Sequence, residues 1–121
     1  MSYTVMVVDD EADVRAFLTA VLEKEGYTVV TAENGGKALA LADEVTPDLI
    51  CLDLQMPDHT GTDFYRRLMK HPSLGDTPVI VVSGLAGRHL AVSKPFAVFD
   101  KPIVPEEFIE TVERALGVND D

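Results

Sequence analysis

The sequence predicts one α/β domain built on a parallel β-sheet, and two observations carry that prediction. Short apolar runs alternate with amphipathic stretches along the chain, which gives five predicted strands and five predicted helices in strict succession. The runs are rich in β-branched residues, as strands of a sheet covered by helices on both faces usually are. With 121 residues, of which 46% are hydrophobic, the chain is long enough to bury a core.

The predicted strands are three to five residues long, and turn-forming or charged residues bound them. The third is apolar at every position, so both of its faces are expected to be covered and its place in the sheet to be central. In chain order the predicted strands are Thr4–Val8, Thr28–Ala32, Leu49–Leu52, Pro78–Val82 and Ala97–Phe99.

The predicted helices rest on apolar residues three and four positions apart, which form one buried stripe per helix. Gly26 and Gly117 follow the first and the last helix, as glycines often do at helix ends. The fourth helix is expected to be short or irregular, because Gly84, Gly87 and Pro95 leave little room for it. The predicted helices are Glu11–Glu25, Lys37–Glu44, Gly61–Lys70, a short one near Arg88–Val92, and Pro105–Leu116.

Composition excludes several classes of function. The net charge of −11 argues against binding of nucleic acid by this chain alone, because phosphate backbones require a positive surface. Apolar runs such as Val79–Val82 are far shorter than the roughly 18 residues of a membrane-spanning helix, and no secretory leader is recognisable. The one cysteine, Cys51, lies in an apolar run and is expected to be a buried side chain. A cytoplasmic location is therefore expected.

Polar residues follow the predicted strands at one edge of the sheet. Asp9 and Asp10 follow the first strand and Asp53 the third, while Ser83 and Lys101 follow the fourth and the fifth. Ligands of such sheets bind beyond the carboxyl ends of the strands. Carboxylates brought together there repel one another, and a hard cation such as Mg²⁺ compensates that repulsion well. The ammonium and hydroxyl groups add donors for phosphoryl oxygens. The set predicts phosphoryl transfer, with Asp53 as the nucleophile.

Each of these residues has a plainer explanation when it is taken alone. An aspartate at the end of a strand often forms a turn, and Asp10 could cap the helix that begins near Glu11. Ser83 before a glycine is typical of a turn, and an isolated Lys101 would be a solvated surface charge. Only their joint occurrence, in chain order at one predicted edge, favours a functional site.

The chain resembles the receiver domains of response regulators in two-component signalling, including chemotaxis regulators, from about Tyr3 to Leu116. The motifs that carry the resemblance are Val7–Glu11, Asp53–Pro57 with Gly61 after it, Val82–Gly84, and Lys101-Pro102. The resemblance implies a flavodoxin-like, doubly wound sheet with strand order 2-1-3-4-5. It also implies that residues 1–121 are a single receiver domain.

The resemblance further implies a metal site and a phosphoacceptor. Asp53 would accept the phosphoryl group, and Asp10 and Asp53 would ligate Mg²⁺ directly. Asp9 would act mainly through a metal-bound water, and the main-chain carbonyl of Gln55 would complete the protein's share of the ligands.

The remaining implied roles concern catalysis and switching. Lys101 would pair with a phosphoryl oxygen after a cis Lys101-Pro102 bond, and the Ser83 hydroxyl would turn toward the phosphoryl group. Family members usually carry an aromatic switch residue three positions before the lysine, but Val98 stands there in this chain. The neighbouring Phe99 either replaces that switch or belongs to the core, and the core is the favoured interpretation.

The implied function is a signalling switch that catalyses its own phosphorylation and dephosphorylation, and not an enzyme acting on other substrates. The donor would be a phosphohistidine on a sensor histidine kinase or a histidine phosphotransfer protein, and the output would be a changed affinity for a downstream protein target. Neither nucleic acid nor a membrane is expected as a partner of this chain.

Two other functions stay open on the sequence. One is a degenerate receiver that binds partners without being phosphorylated. The other is an aspartate-nucleophile phosphatase on a related α/β fold. Such enzymes normally carry a second aspartate two positions after the nucleophile, where this chain has Gln55, whose amide cannot transfer a proton.

Overall fold

The computed structural model describes residues 2–54, 56, 60–83 and 95–118, and it contains the predicted five-stranded parallel sheet. The strand order is β2-β1-β3-β4-β5, so β3 is the central strand with β1 and β4 on either side of it, and the expected order 2-1-3-4-5 is confirmed. The strands are β1 Thr4–Val8, β2 Thr28–Ala32, β3 Leu49–Leu52, β4 Val79–Ser83 and β5 Ala97–Asp100.

Four helices lie in the described part of the chain, and their ends agree with the predicted ones to within two residues. They are α1 Ala12–Lys24, α2 Gly35–Val45, α3 Thr60–Met69 and α4 Pro105–Leu116. The short helix predicted near Arg88–Val92 falls in residues 84–94, which lie outside the described residues. No helix of the described ranges is long and apolar enough to cross a membrane.

Among the element boundaries that differ from the prediction by one or two residues, two have clear local reasons. Strand β4 begins at Val79 and not at Pro78, since proline has no N–H to donate, although the Pro78 carbonyl still accepts from the Ile50 N–H at 3.1 Å. Helix α2 begins at Gly35 and not at Lys37, because the Asn34 carboxamide caps it. Asn34 Oδ1 accepts from the Lys37 N–H at 2.9 Å, which satisfies one of the unpaired donors of the first turn.

The strands divide their side chains between two cores, one on each face of the sheet. Met6 and Val8 of β1 face a core shared with α2 and α3, whereas Val5 and Val7 face a core shared with α1 and α4. Cys51 is buried in the second core, as its apolar sequence context predicts. All four residues of β3 are buried, which confirms its central place. Both layers therefore hold β1 and β3 rigidly up to their carboxyl ends.

Candidate functional site at the carboxyl edge of the sheet

Two buried aspartates extend the neighbouring inner strands β1 and β3 by one residue each. Asp9 directly follows β1 and Asp53 directly follows β3, and their exposed fractions are 1% and 2%. Their main chains continue the sheet, because the Asp53 N–H donates to the Val8 carbonyl at 2.9 Å and the Asp9 N–H donates to the Ala32 carbonyl at 3.1 Å. The sheet itself thus fixes the position of both carboxylates.

Four carboxylates meet at this edge, and we call Asp9, Asp10, Glu11 and Asp53 the acidic cluster. Each residue offers a carboxylate oxygen, and these four oxygens all lie within 4.8 Å of one another. Asp10 and Glu11 are exposed, whereas Asp9 and Asp53 form the buried floor. Oxygens at such spacing repel one another when ionised, and a hard divalent cation with oxygen ligands relieves that repulsion.

Asp9 carries the clearest sign that the acidic cluster suits a cation. Its Oδ1 accepts from the Glu11 N–H at 2.9 Å, but its buried Oδ2 accepts no hydrogen bond from the residues that the structure describes. Burial raises the pKa of Asp9, and the Asp53 charge adds to the rise, against the opposing effects of the Glu11 N–H and Lys101. A buried carboxylate oxygen without a hydrogen bond fits a metal ligand, so the donor set is compatible with Mg²⁺.

Lys101 reaches into the cluster from the loop after β5. Its Nζ lies 2.9 Å from Glu11 Oε1, 3.2 Å from Asp9 Oδ2 and 3.5 Å from Asp53 Oδ2. Burial by itself would lower the pKa of Lys101, but the hydrogen bond to Glu11 and the charges of Asp53 and Asp9 outweigh burial and raise it. The ammonium therefore stays protonated. The Lys101-Pro102 peptide bond is cis, as the resemblance implied.

Gly61, in the first turn of α3, permits the close approach of that helix to the segment that follows β3. A Cβ atom at Gly61 would lie 2.5 Å from the Asp53 carbonyl oxygen and 3.1 Å from Leu54 Cα, both of which are backbone atoms. Only glycine fits this contact without a shift of the chain. The glycine of the sequence motif is thus explained by packing against the residue that carries the candidate nucleophile.

The other predicted site residues are described only in part. Gln55 lies outside the described residues, and Ser83 is described by its main chain, which ends β4 beside Asp100 of β5. Phe99 is partly buried and packs edge-to-face on Phe108, with ring centroids 5.8 Å apart, as the core interpretation expects. At the usual position of the aromatic switch, Val98 is 38% exposed.

Two residues of the site were not predicted from the sequence. Glu11 was expected to begin α1 and to end one motif of the resemblance, with no role in the site, although it forms the shortest ion pair of Lys101 among the three carboxylates that lie near Nζ. Arg15 Nη1 donates to the main-chain carbonyl of Asp9 at 2.7 Å and thereby ties α1 to the end of β1. Its position four residues after Glu11, on the same face of the helix, was the available signal.

Comparison with known proteins gives one consistent family. Residues 5–113 match the family model described as the response regulator receiver domain. The chain is 32% identical to protein Rrf1 of Nitratidesulfovibrio vulgaris, over 97% of this chain and 85% of that protein. It is 33% identical to the polar-differentiation response regulator DivK of Brucella anthropi, over 97% and 98%. Among solved structures, the chemotaxis response regulator CheY4 of Vibrio cholerae is similar, with a TM-score of 0.87 at 28% identity, over 96% and 100%.

Proposed function

The chain belongs to the response regulator receiver domain family, and on that premise we propose that it is a signalling switch in which Asp53 accepts a phosphoryl group. The observation that carries the proposal is the surroundings of the Asp53 carboxylate. It is buried, it belongs to the acidic cluster, and the Lys101 ammonium lies 3.5 Å from its Oδ2. A fixed carboxylate beside a fixed cation is the arrangement expected of a nucleophile that forms an aspartyl phosphate.

The proposed transfer takes the phosphoryl group from a phosphohistidine. A carboxylate oxygen of Asp53 attacks phosphorus while the P–N bond to the histidine breaks, and the bonding electron pair stays on the imidazole nitrogen. Lys101 Nζ, already within reach of Asp53, pairs with a phosphoryl oxygen as negative charge develops there. The switch is reset by hydrolysis: water attacks phosphorus, the P–O bond to Asp53 breaks, and inorganic phosphate leaves.

The proposed cofactor is Mg²⁺. Asp10 and Asp53 would hold it directly, Asp9 would act mainly through a metal-bound water, and the main-chain carbonyl of Gln55 would be a further ligand. When bound, the ion would offset the negative charge that the carboxylates and the phosphoryl oxygens share. The buried Asp9 Oδ2, whose near neighbour is the Lys101 ammonium at 3.2 Å, and the spacing of the acidic cluster support this assignment.

The output of the proposed switch is a change in protein binding. Ser83 would turn its hydroxyl toward the phosphoryl group, and β5 with Phe99 would shift in response. The partners would be a sensor histidine kinase or a histidine phosphotransfer protein upstream and a protein target downstream, without nucleic acid or membrane as a partner. The proposal also includes a cytoplasmic location and a single receiver domain in residues 1–121.

The test is phosphorylation by a small-molecule donor. The protein is incubated with Mg²⁺ and acetyl phosphate, and its intact mass is measured beside Asp53→Asn, Asp13→Asn and a sample with chelator. One phosphoryl adduct is expected in the wild type and in Asp13→Asn, which loses the same charge at an exposed position of α1. No adduct is expected for Asp53→Asn or with chelator.

The opposite results would replace the proposal. No adduct in the wild type, even with a fast quench and with phosphohistidine donors, would favour an interaction module that works without phosphorylation. An adduct that survives in Asp53→Asn would assign the acceptor to another residue.

A further inference from the structure

Lys101 makes its shortest hydrogen bond to a residue that has no proposed role in phosphoryl transfer. Glu11 Oε1 accepts from Lys101 Nζ at 2.9 Å, whereas the contacts to Asp9 and Asp53 are longer. The ion pair of Lys101 Nζ with Asp9 Oδ2 is 3.2 Å long, and the one with Asp53 Oδ2 is 3.5 Å long. Before a phosphoryl group arrives, the ammonium is therefore engaged at the rim of the site.

The Glu11 side chain is free to release the lysine. Its main chain is anchored, because its N–H donates to Asp9 Oδ1 at 2.9 Å, but its side chain is 60% exposed and can turn into solvent. Glu11 occupies the N-cap position of α1 and makes no capping hydrogen bond with its side chain. The carboxylate thus has no structural task in its own helix, and its hydrogen bond to Lys101 lowers the pKa of Glu11.

We propose that Glu11 is a positioning residue that holds Lys101 in the unphosphorylated state and competes with the phosphoryl group for its ammonium. This inference rests on the proposed phosphorylation of Asp53. For the ammonium to pair fully with a phosphoryl oxygen, Lys101 has to exchange the 2.9 Å bond to Glu11 for the new anion. Glu11 therefore favours the unphosphorylated form and makes the switch easier to reset.

The direction of the effect follows from the charges. A phosphoryl group on Asp53 adds negative charge to a place where four carboxylates already lie together. Removal of the Glu11 charge frees the ammonium and removes one repelling neighbour, so it strengthens binding of a phosphoryl-like anion. The part of this gain in affinity that acts through Lys101 disappears when the lysine is absent. The part that comes from simple repulsion between Glu11 and the anion remains.

The test is an equilibrium titration with beryllofluoride, an analogue of the phosphoryl group, at saturating Mg²⁺. The full chain is compared with Glu11→Gln, Lys101→Ala and the double variant Glu11→Gln/Lys101→Ala. Asp13→Asn serves as the matched control, because it removes one negative charge from the first turn of α1 and Asp13 is not a partner of Lys101. Thermal unfolding verifies that each variant is folded.

Glu11→Gln is expected to tighten beryllofluoride binding by about two- to fivefold, the range of a partly exposed ion pair. In the Lys101→Ala background the same substitution is expected to change the affinity by less than about 1.5-fold, as is Asp13→Asn in the wild type, since solvent and salt screen charges that are not in contact. An unchanged affinity in Glu11→Gln would overturn the inference. So would an equal gain in the Lys101→Ala background or in Asp13→Asn, since either would assign the effect to general repulsion.

Failure of the proposed function looks different in the same experiment. If the wild type bound no beryllofluoride and gave no phosphoryl adduct, the proposed phosphorylation of Asp53 would fall, and the role of Glu11 with it. If the wild type binds the analogue and only the effect of Glu11→Gln is missing, the proposed function stands and the role of Glu11 alone is wrong.

Discussion

In the neighbouring strands β1 and β3, a buried aliphatic residue at the end of the strand is followed directly by a buried carboxylate. Val8 and Leu52 end β1 and β3 as buried aliphatic side chains, and the next residues, Asp9 and Asp53, are equally buried carboxylates. Burial of Val8 and Leu52 stabilises the fold, whereas burial of a carboxylate disfavours its ionised form. The buried aliphatic residues thus stabilise the fold. The buried carboxylates directly beyond them lower its stability, but they hold negative charges at a fixed place.

The sheet interior is expected to respond most strongly to a loss of volume. Leu52→Ala removes a fully buried side chain next to the proposed phosphoacceptor, and it should lower the free energy of unfolding by about 2–5 kcal/mol. Urea denaturation followed by circular dichroism measures this change. Met69→Ala, at a position of α3 that is 40% exposed, is the control and should cost less than about 1 kcal/mol. Equal losses in both variants would refute the contrast.

The contact between α3 and the site should be sensitive to a single methyl group. Gly61→Ala places a Cβ 2.5 Å from the Asp53 carbonyl oxygen, so the chain has to shift, at a cost of about 1–3 kcal/mol in stability. The shift should also slow phosphorylation by acetyl phosphate. Gly36→Ala is the matched control, because a Cβ there meets only Asn34 Oδ1 at 3.5 Å and alanine favours the helix. A neutral Gly61→Ala would show that this close approach is not the reason for the glycine.

Removal of the negative charge of Asp9 should stabilise the fold. Asp9→Asn keeps the shape of the side chain and removes the burial penalty on its ionised form, so at pH 7 without Mg²⁺ it should raise the free energy of unfolding by on the order of 1 kcal/mol. Because the pKa of Asp9 is raised in the folded chain, the wild type loses stability as pH rises from the ordinary value of 3.8 through the raised one. The gain should therefore be full at neutral pH and should shrink below about pH 4.

Mg²⁺ provides the control for Asp9→Asn. A cation that binds only the folded chain stabilises it, so Mg²⁺ should raise the melting temperature of the wild type more than that of the variant. Thermal unfolding with and without Mg²⁺, from pH 4 to pH 8, measures both effects. A variant less stable than the wild type at pH 7 without Mg²⁺ would show that the carboxylate contributes more through Lys101 than its burial costs.

The smallest effect is expected for chemical modification of Cys51, which lies in β3 two residues before Asp53. Burial raises the pKa of the Cys51 thiol to about 12, so almost no thiolate forms in the folded protein. A disulfide reagent at pH 8 should leave the native protein unmodified and should react fully in urea. Rapid labelling of the native protein would mean that β3 opens locally, which would contradict the expectation that the sheet interior stays closed.

The elements that the sequence predicted well are those with local signals. Strand β3 is a continuous apolar run, and α4 has proline at its first position and glycine after its last, so both were predicted with their correct bounds. The predicted start of α2 was wrong because two glycines at 35 and 36 disfavour a helix locally. The capping hydrogen bond of Asn34 offsets that preference.

The site was predictable as far as sheet topology determines it. The rule that parallel strands present their carboxyl ends at one edge was enough to expect Asp9, Asp53 and Lys101 together, and the ion pairs confirm that they meet. The role of Glu11 was not predictable in this way. Its partner Lys101 is 90 positions away in the chain, and only the fold decides which of several neighbouring carboxylates lies nearest to the ammonium.

The most direct test of the phosphoacceptor is chemical mapping of the modified residue. The protein is phosphorylated with acetyl phosphate and Mg²⁺ and then reduced with borohydride, which converts an aspartyl phosphate to homoserine. It is then digested, and the peptides are sequenced by mass spectrometry. Homoserine at position 53 alone is the expected result. Homoserine at position 9 or 10 instead, or at no position, would contradict the proposal that the buried carboxylate of Asp53 accepts the phosphoryl group.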